Sequence, residues 1–327
     1  MTHNRRKILF FSPISVPFME LDREILAGFS HVIDIRTKGI LGAIRLLWAA
    51  LFVDAVFSWF ASTYSALLVF AARLLGKKCV VIVGGADVTV QEDLGYGLLT
   101  VPWKRSLIRY ALRRATAVAP MSLHLETLAR KVGKYQGNNL RTIPPGLDDL
   151  YWTPEHTKEP VVLAVAACPT PKRVKVKGID VLIEAARLMP GASIRIVGVD
   201  ETVLRSMDIH IPSNVVVRPW LPEEQLLDLY RRSRVCCQPS RIESFSFALA
   251  QGMLCECIPV ASRVGGLPEV MGEVGFLVPP GEPESLATAL AKALKADGDL
   301  GRTAREHIRS SFSLDARAAQ LTKLFEG

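Results

Sequence analysis

The chain is predicted to be an α/β protein of two Rossmann-like, doubly wound domains facing one another across an interdomain cleft. Three observations predict it. Short apolar runs of strand length alternate with segments of helical periodicity, the pattern of parallel sheets covered on both faces. The 327 residues, 49% of them apolar, suffice for two cores of ordinary size. Near the middle lies a break rich in turn residues, from Pro144-Pro145-Gly146 through Trp152-Thr153-Pro154 and on to Pro160, after which the alternation restarts. The division is placed after residue 155, giving an N-terminal domain over 1–155, a second over 156–312 and a closing helical segment over 313–327. Two such domains would hold a ligand beyond the carboxyl ends of their strands.

A strand over 7–12, stopped by Pro13, opens the first domain. Helix 20–28 and strand 31–35 follow. The strongly apolar stretch 40–75 divides into helix 41–51, strand 54–59 and helix 64–75. Arg45 and Asp54 interrupt it, and Ser58, Ser62, Thr63, Tyr64 and Ser65 dilute the run up to Arg73. It falls short of about 18 uncharged apolar residues, so it reads as buried strand and helix rather than a membrane span. Strand 78–83 stops at Gly84-Gly85, and helix 103–115, strand 117–120, helix 122–132 and strand 140–143 complete the domain. The second domain runs strand 161–167, helix 179–189, strands 193–197 and 214–217, helix 223–232, strand 234–237, helix 246–254, strand 258–261 and helix 284–296. A last helix is expected over 313–325.

The formal charge of +8 is uneven. Residues 1–155 hold 19 Lys+Arg against 12 Asp+Glu, and residues 156–327 hold 21 against 20. The basic half suits an anionic partner such as a lipid phosphate or an anionic membrane. A nucleic acid is disfavoured, because no recognisable reading module accompanies the charge. Six cysteines without a Cys-x-x-Cys pair sit in apolar text, so they read as buried free thiols in a reducing compartment. The run Ile8–Phe11 is too short for a signal peptide. A cytoplasmic protein is expected, with a peripheral position at the inner face of the membrane as a further possibility.

The segment richest in chemistry runs from Pro239-Ser240-Arg241-Ile242-Glu243 through Ser244-Phe245-Ser246-Phe247 into an apolar helix. It sets one carboxylate on a loop that turns directly into a helix, with Ser244 and Ser246 suited to the helix start. A helix opening beside a polar loop offers unpaired N–H groups and a positive dipole end, where a phosphate would sit. Ile258-Pro-Val-Ala-Ser-Arg263, Gly265-Gly266-Leu-Pro-Glu269 and Val274-Gly-Phe-Leu-Val-Pro-Pro280 follow. The whole span from Pro239 to Pro280 resembles the donor-binding signature of nucleotide-sugar glycosyltransferases of the GT-B fold, in retaining family 4, the group 1 glycosyl transferases. One departure stands out: Gln251 occupies the place of that signature's second Glu.

The resemblance implies a retaining transferase that moves a sugar from a nucleoside-diphosphate sugar to the hydroxyl of a sugar or lipid-linked acceptor. Lys177, in Lys177-Gly178, matches a lysine that grips the donor diphosphate, and Arg173 is the nearest counterpart of an accompanying arginine. Such cations stabilise charge that grows on the leaving group as the glycosidic bond breaks. Glu243 would contact the donor sugar and Gln251 the ribose, where an amide offers one acceptor and one donor group instead of a carboxylate's two acceptors. Ser244, Phe245, Ser246 and Phe247, at the opening of the apolar helix, would be substrate-binding residues; Arg218, beside Pro219-Trp220, would lie near the base, and Gly265 and Gly266 would allow close backbone approach. The last helix would cross back to the first domain.

In the first half the resemblance is looser. Gly84, Gly85 and Asp87 end a buried strand and are taken as substrate-side residues, but neither the histidine of many relatives nor their glycine-rich loop after the first strand is found. Arg105, Arg109 and Arg113 recur four apart on one helical stripe; they read either as a solvated face or as a contact for an acceptor phosphate or anionic bilayer. Asp297-Gly298-Asp299 imitates a metal motif of another glycosyltransferase fold but sits among turn residues, and no His/Cys spacing suits zinc. No metal and no cofactor beyond the donor are expected. The departures leave two alternatives open: a catalytically weakened nucleotide-binding relative acting as a partner subunit, and a nucleotide-sugar epimerase.

Overall fold

The computed structural model describes residues 5–91, 95–155 and 157–326. It divides into two compact units: the chain up to Gly146 together with Leu314 onward, and Leu147–Ser313. The first crossing therefore falls within the turn-rich break but before residue 155, and residue 156 lies outside the described residues. Trp152 explains the earlier division, because its buried indole meets Tyr230 edge-on in the core of the second unit.

The first unit is a parallel sheet of β1 (Lys7–Phe11), β2 (His31–Ile35), β3 (Ala55–Trp59), β4 (Lys78–Val83) and β5 (Ala117–Pro120) in the order β2-β1-β3-β4-β5. Its helices are α1 (Pro17–Phe29), α2 (Gly39–Leu51), α3 (Thr63–Leu74), α4 (Pro102–Arg114) and α5 (Leu123–Gly133). The segment expected as a strand at 140–143 runs beside β5 with one isolated parallel bridge, Leu140 to Val118. Arg141 N–H donates to Val118 O and Ile143 N–H to Pro120 O, both at 2.9 Å, but Pro120 has no N–H to return and the ladder goes no further.

Two other readings of this unit are amended. The arginine stripe of α4 lies at the surface, Arg113 exposed and Arg105 and Arg109 half-buried, but its N–H groups are turned onto main-chain carbonyls. Arg109 Nε donates to Val132 O at 3.0 Å, Arg113 reaches Gly133 O and Lys134 O at 2.5 and 2.7 Å, and Arg105 donates twice to Leu99 O. Two of the three thus satisfy the last carbonyls of α5, which have no partner within their own helix. The stretch 40–75 is also not wholly buried: only Gly42, Leu46 and Ala50 of α2 are, while Ile40 and Leu41 are 82% exposed and Trp48 is 62% exposed.

The second unit is a six-stranded parallel sheet of β6 (Glu159–Cys168), β7 (Ser193–Val199), β8 (Val215–Arg218), β9 (Ser233–Gln238), β10 (Ile258–Ser262) and β11 (Phe276–Val278), in the order β11-β10-β9-β6-β7-β8. Its helices are α6 (Pro171–Lys177), α7 (Ile179–Arg187), α8 (Glu201–Arg205), α9 (Glu223–Arg232), α10 (Phe247–Leu254), α11 (Leu267–Met271), α12 (Pro283–Lys295) and α13 (Asp299–Ser311). Helices α8, α11 and α13 and strand β11 were not expected from the sequence, and neither was α6. The Thr170 hydroxyl caps it by accepting the Arg173 N–H at 3.3 Å, Pro171 occupies its first turn, and Gly178 ends it at φ 66°. Asp297 accepts the Asp299 N–H at 3.0 Å in the turn leading into α13.

The last helix, α14 (Leu314–Phe325), belongs to the first unit. Leu321 and Phe325 join that unit's core, and Arg317 meets Asp22 of α1 through two hydrogen bonds of 2.6 and 2.7 Å with both side chains buried. Arg317 also donates to Ile143 O and Pro144 O. Burial pushes the Asp22 carboxyl up, against the pull of Arg317. Replacing Arg317 with Ala strands a buried carboxyl, so Arg317→Ala is expected to lower stability by about 3–5 kcal/mol in denaturant unfolding.

Candidate functional site

In the second sheet the strand order reverses between β6 and β9, the position at which doubly wound folds open a crevice beyond the strand C-termini. The chain leaving β6 forms α6, whose last residue is Lys177. The chain leaving β9 forms the loop Pro239–Ser246 that leads into α10. Lys177 and Glu243 therefore come from the two strands flanking the reversal. The Lys177 ammonium donates to Glu243 Oε2 at 2.5 Å, with the side chains only 16% and 10% exposed.

Three glycines make this approach possible. A Cβ at Gly178, whose φ is +66°, would lie 1.9 Å from Pro239 O. One at Gly265, φ +56°, would lie 1.7 Å from Glu243 O, and one at Gly266 would lie 2.2 Å from Ser244 O. Gly266 N–H donates to Glu243 O at 3.2 Å. The loop bearing Glu243 is thus held from both sides by backbone that only glycine allows so near. On the α6 side, Arg241 N–H donates to Val176 O at 2.9 Å, and the Arg241 guanidinium pairs with Asp180 at 2.7 Å.

Behind the carboxylate runs a chain of buried polar groups with every donor turned towards it. Leu249 N–H donates to Ser246 Oγ (3.3 Å), whose hydroxyl donates to Gln238 Oε1 (3.2 Å). Gln238 Nε2 donates to Ser240 Oγ (2.7 Å), and that hydroxyl donates to Glu243 Oε2 (3.3 Å). Gln238, Ser240 and Ser246 are all buried. Ser246 holds φ 83°, a left-handed conformation costly for a residue with a side chain, and Gln238 on one side and Leu249 N–H on the other fix it there. Gln238, Ser240 and Gly178 were not singled out as site residues from the sequence. A signal for the first existed: Gln238 is the polar residue that closes the apolar strand text Val235-Cys236-Cys237.

Arg173 stands one helical turn before Lys177 on α6 and donates from Nε to Ala167 O at 3.4 Å, at the end of β6. Cys168 sits beneath both cations. Burial pushes its thiol up to about 11 despite their pull, so it is neutral at ordinary pH and offers no nucleophile. Gln251 is half-buried in the second turn of α10; among the described residues its amide makes no hydrogen bond. Arg218 is exposed at the end of β8, the edge strand separated from β6 by β7.

Two expected substrate contacts are corrected. Phe245 is buried in the core, edge-on to Phe247 and Phe312 with ring centres 5.2 and 5.1 Å away, so its side chain anchors the loop instead of meeting a ligand. Asp87, in the first unit, is fully buried. Its carboxylate accepts the N–H groups of Ala61 (2.8 Å), Gly84 (3.3 Å) and Gly85 (2.7 Å), tying the loop after β4 to the loop after β3. Burial pushes this carboxyl up, against those bonds. Gly84 allows the Phe60 ring to approach, since a Cβ there would lie 2.4 Å from it.

Residues 159–296 match the family model described as "Glycosyl transferases group 1". D-inositol 3-phosphate glycosyltransferase of Mycobacteroides abscessus is 33% identical over 157 residues, 44% of this chain and 35% of that protein. MMP alpha-(1->4)-mannosyltransferase of Mycolicibacterium hassiacum is 28% identical over 201 residues, 57% and 48% of the two chains. The chain thus spans about a third to a half of the length of these curated relatives. Among solved structures, sucrose-phosphate synthase from Thermosynechococcus elongatus superposes with a TM-score of 0.79 at 20% identity, covering 98% of both chains. HepE of Anabaena in complex with UDP gives 0.76 at 15%, covering 97% of this chain and 98% of that one. The fold is the one these proteins share.

A methyl group at Gly178 would collide with Pro239 O in a backbone conformation that L-residues resist. Gly178→Ala is expected to cost about 2–5 kcal/mol in thermal or denaturant unfolding, through combined strain and overpacking.

Proposed function

We propose that this chain, a group 1 glycosyltransferase by its second unit, moves a hexosyl or related sugar from a nucleoside-diphosphate sugar to an acceptor hydroxyl with retention of anomeric configuration. The observation that carries the reading is the Lys177–Glu243 pair at the strand-order reversal of the second sheet, locked by glycines against both flanking segments. The matched family and the transferase names of the curated relatives support it.

In this reading the donor diphosphate lies against α6. Glu243 occupies one direction of the Lys177 ammonium, which has three donors in all, leaving others for phosphate oxygens. Arg173, one turn earlier, adds a second cation. As the bond between the anomeric carbon and the diphosphate oxygen breaks, negative charge gathers on that oxygen, and the fixed cations stabilise it more than they stabilise the ground state. The acceptor oxygen forms its bond on the same face, and its proton passes to the departing phosphate oxygen. A separate protein base is then unnecessary. Glu243, held in place by Lys177 and Ser240, orients the donor sugar. Gln251 contacts the ribose, and backbone groups around Ser244, Ser246 and Phe247 receive phosphate oxygens at the start of α10. Arg218 reaches towards the base. We propose that no metal cofactor takes part, the leaving group's charge being met by Lys177 and Arg173, and that the acceptor is a sugar or lipid-linked hydroxyl.

Three measurements test this. A thermal-shift screen with UDP-, GDP- and ADP-sugars is expected to raise the melting temperature with at least one donor, because a ligand of the native state stabilises it; a flat response to all of them overturns the reading. Lys177→Ala is expected to lower turnover by roughly 10²–10³-fold, the scale of losing a charge-stabilising group. Gln251→Glu restores a carboxylate to the ribose position and is expected to tighten nucleotide binding by about 5–150-fold, equivalent to 1–3 kcal/mol. Nucleotide binding without any transfer would instead favour the weakened, non-catalytic relative.

A further inference from the structure

Helix α2 is apolar on both faces. Its inner side buries Gly42, Leu46 and Ala50 against the first unit. Its outer side presents Ile40, Leu41, Ile44, Leu47, Trp48 and Leu51, a continuous stripe at helical spacing, and Phe52 follows with its ring 4.7 Å from that of Trp48. Neighbouring α3 adds exposed Phe70 and Leu74, one turn apart. A helix apolar all round is normally enclosed, and exposed apolar area on this scale marks an interaction surface.

The charges around it narrow the partner. From Lys38 to Lys78 the chain carries five cations, Lys38, Arg45, Arg73, Lys77 and Lys78, against one acid, Asp54. Asp54 is already engaged, accepting the Lys7 N–H at 2.7 Å. Arg45 is exposed inside the apolar stripe. At the C-terminal end of α2, Lys77 donates to Ala50 O and Leu51 O, and a groove there is lined by Arg6, Lys77 and Lys78 together with Asp54. A second copy packed face to face would set these cations against their own images, an unfavourable arrangement in a two-fold contact. An amphipathic surface bearing a tryptophan, long aliphatic chains and peripheral cations suits the boundary of an anionic bilayer. There the apolar side chains enter the acyl region, and Arg and Lys reach the headgroup phosphates. Among the described residues no helix is long and apolar enough to cross a membrane, so the contact lies along the surface.

We propose that the outer face of α2, extended by Phe70 and Leu74 of α3, docks on an anionic lipid bilayer. The contact is independent of glycosyl transfer and is read without donor or acceptor. The whole chain is tested by flotation with phosphatidylcholine vesicles, alone or with about one third phosphatidylglycerol, at low and high salt. Strong flotation with the anionic vesicles, weakened by salt and poor with the neutral ones, is expected. The double variant Ile44→Asp/Trp48→Asp is expected to lose at least about tenfold in apparent vesicle affinity while keeping its melting temperature, since both side chains lie outside the core. The charge-neutral pair Leu41→Ser/Leu51→Ser is expected to weaken flotation in the same direction, which separates lost insertion from added negative charge. Flotation that is absent in the native chain, or unchanged in both double variants, overturns the proposal. A dimer in light scattering that the same substitutions dissolve, without vesicle binding, assigns the face to a second copy and overturns it too.

Discussion

Lys177 and Glu243 start from different strands, and their meeting depends on how close two loops and one helix end can come. Gly178, Gly265 and Gly266 set that distance: each faces a main-chain carbonyl so near that any side chain would occupy the same space. The carbonyls of Pro239, Glu243 and Ser244 belong to one loop, so the loop is clasped from both sides of the strand-order reversal. Without the clasp, the ion pair, the cap of α10 and the buried hydrogen-bond chain would each lack a fixed platform.

The electrostatics follow from that rigidity. A carboxylate whose side chain is only 10% exposed is met by the Lys177 ammonium, the Ser240 hydroxyl and the Ser244 N–H. The donors from Leu249, Ser246, Gln238 and Ser240 run in a single direction, each passing its dipole towards Glu243. The second unit thereby brings fixed dipoles and two cations to one edge of its sheet with little reorganisation left to make. Preorganisation of this kind is what a group-transfer reaction with a departing anion draws on.

Much of this was legible in the residues, and the exceptions have physical causes. Apolar alternation located all five strands of the first sheet to within a residue or so, because buried parallel strands are continuous apolar runs with sharp ends. At 140–143 it was half right: the segment hydrogen-bonds along β5 but makes a single bridge, because Pro120 has no N–H to donate. It missed α8, α11, α13 and β11, and also α6, whose Lys-Arg-rich sequence resembles a basic loop until Thr170, Pro171 and Gly178 are read as cap, first turn and stop. Lys177 and Glu243 were recognisable from their motifs, yet their direct pairing was not, since spacing along a chain carries no information about which strands are neighbours. The arginine stripe of α4 was legible as a surface face but not in its partners: periodicity locates a helical face but cannot tell whether carbonyls of another helix end beside it. Phe245 and Asp87 misled because burial is decided by tertiary packing.

The membership of α14 in the first unit has a consequence for how the protein is made. Chain emerging from the ribosome would assemble five strands and five helices of that unit long before residue 314 is translated. Until then Asp22 would face an empty position where Arg317 belongs, and the places of Leu321 and Phe325 in the core would stand open. The second unit is continuous in sequence and can finish first. Order of synthesis and order of completion are therefore reversed, leaving an earlier-made sheet waiting for a later-made helix.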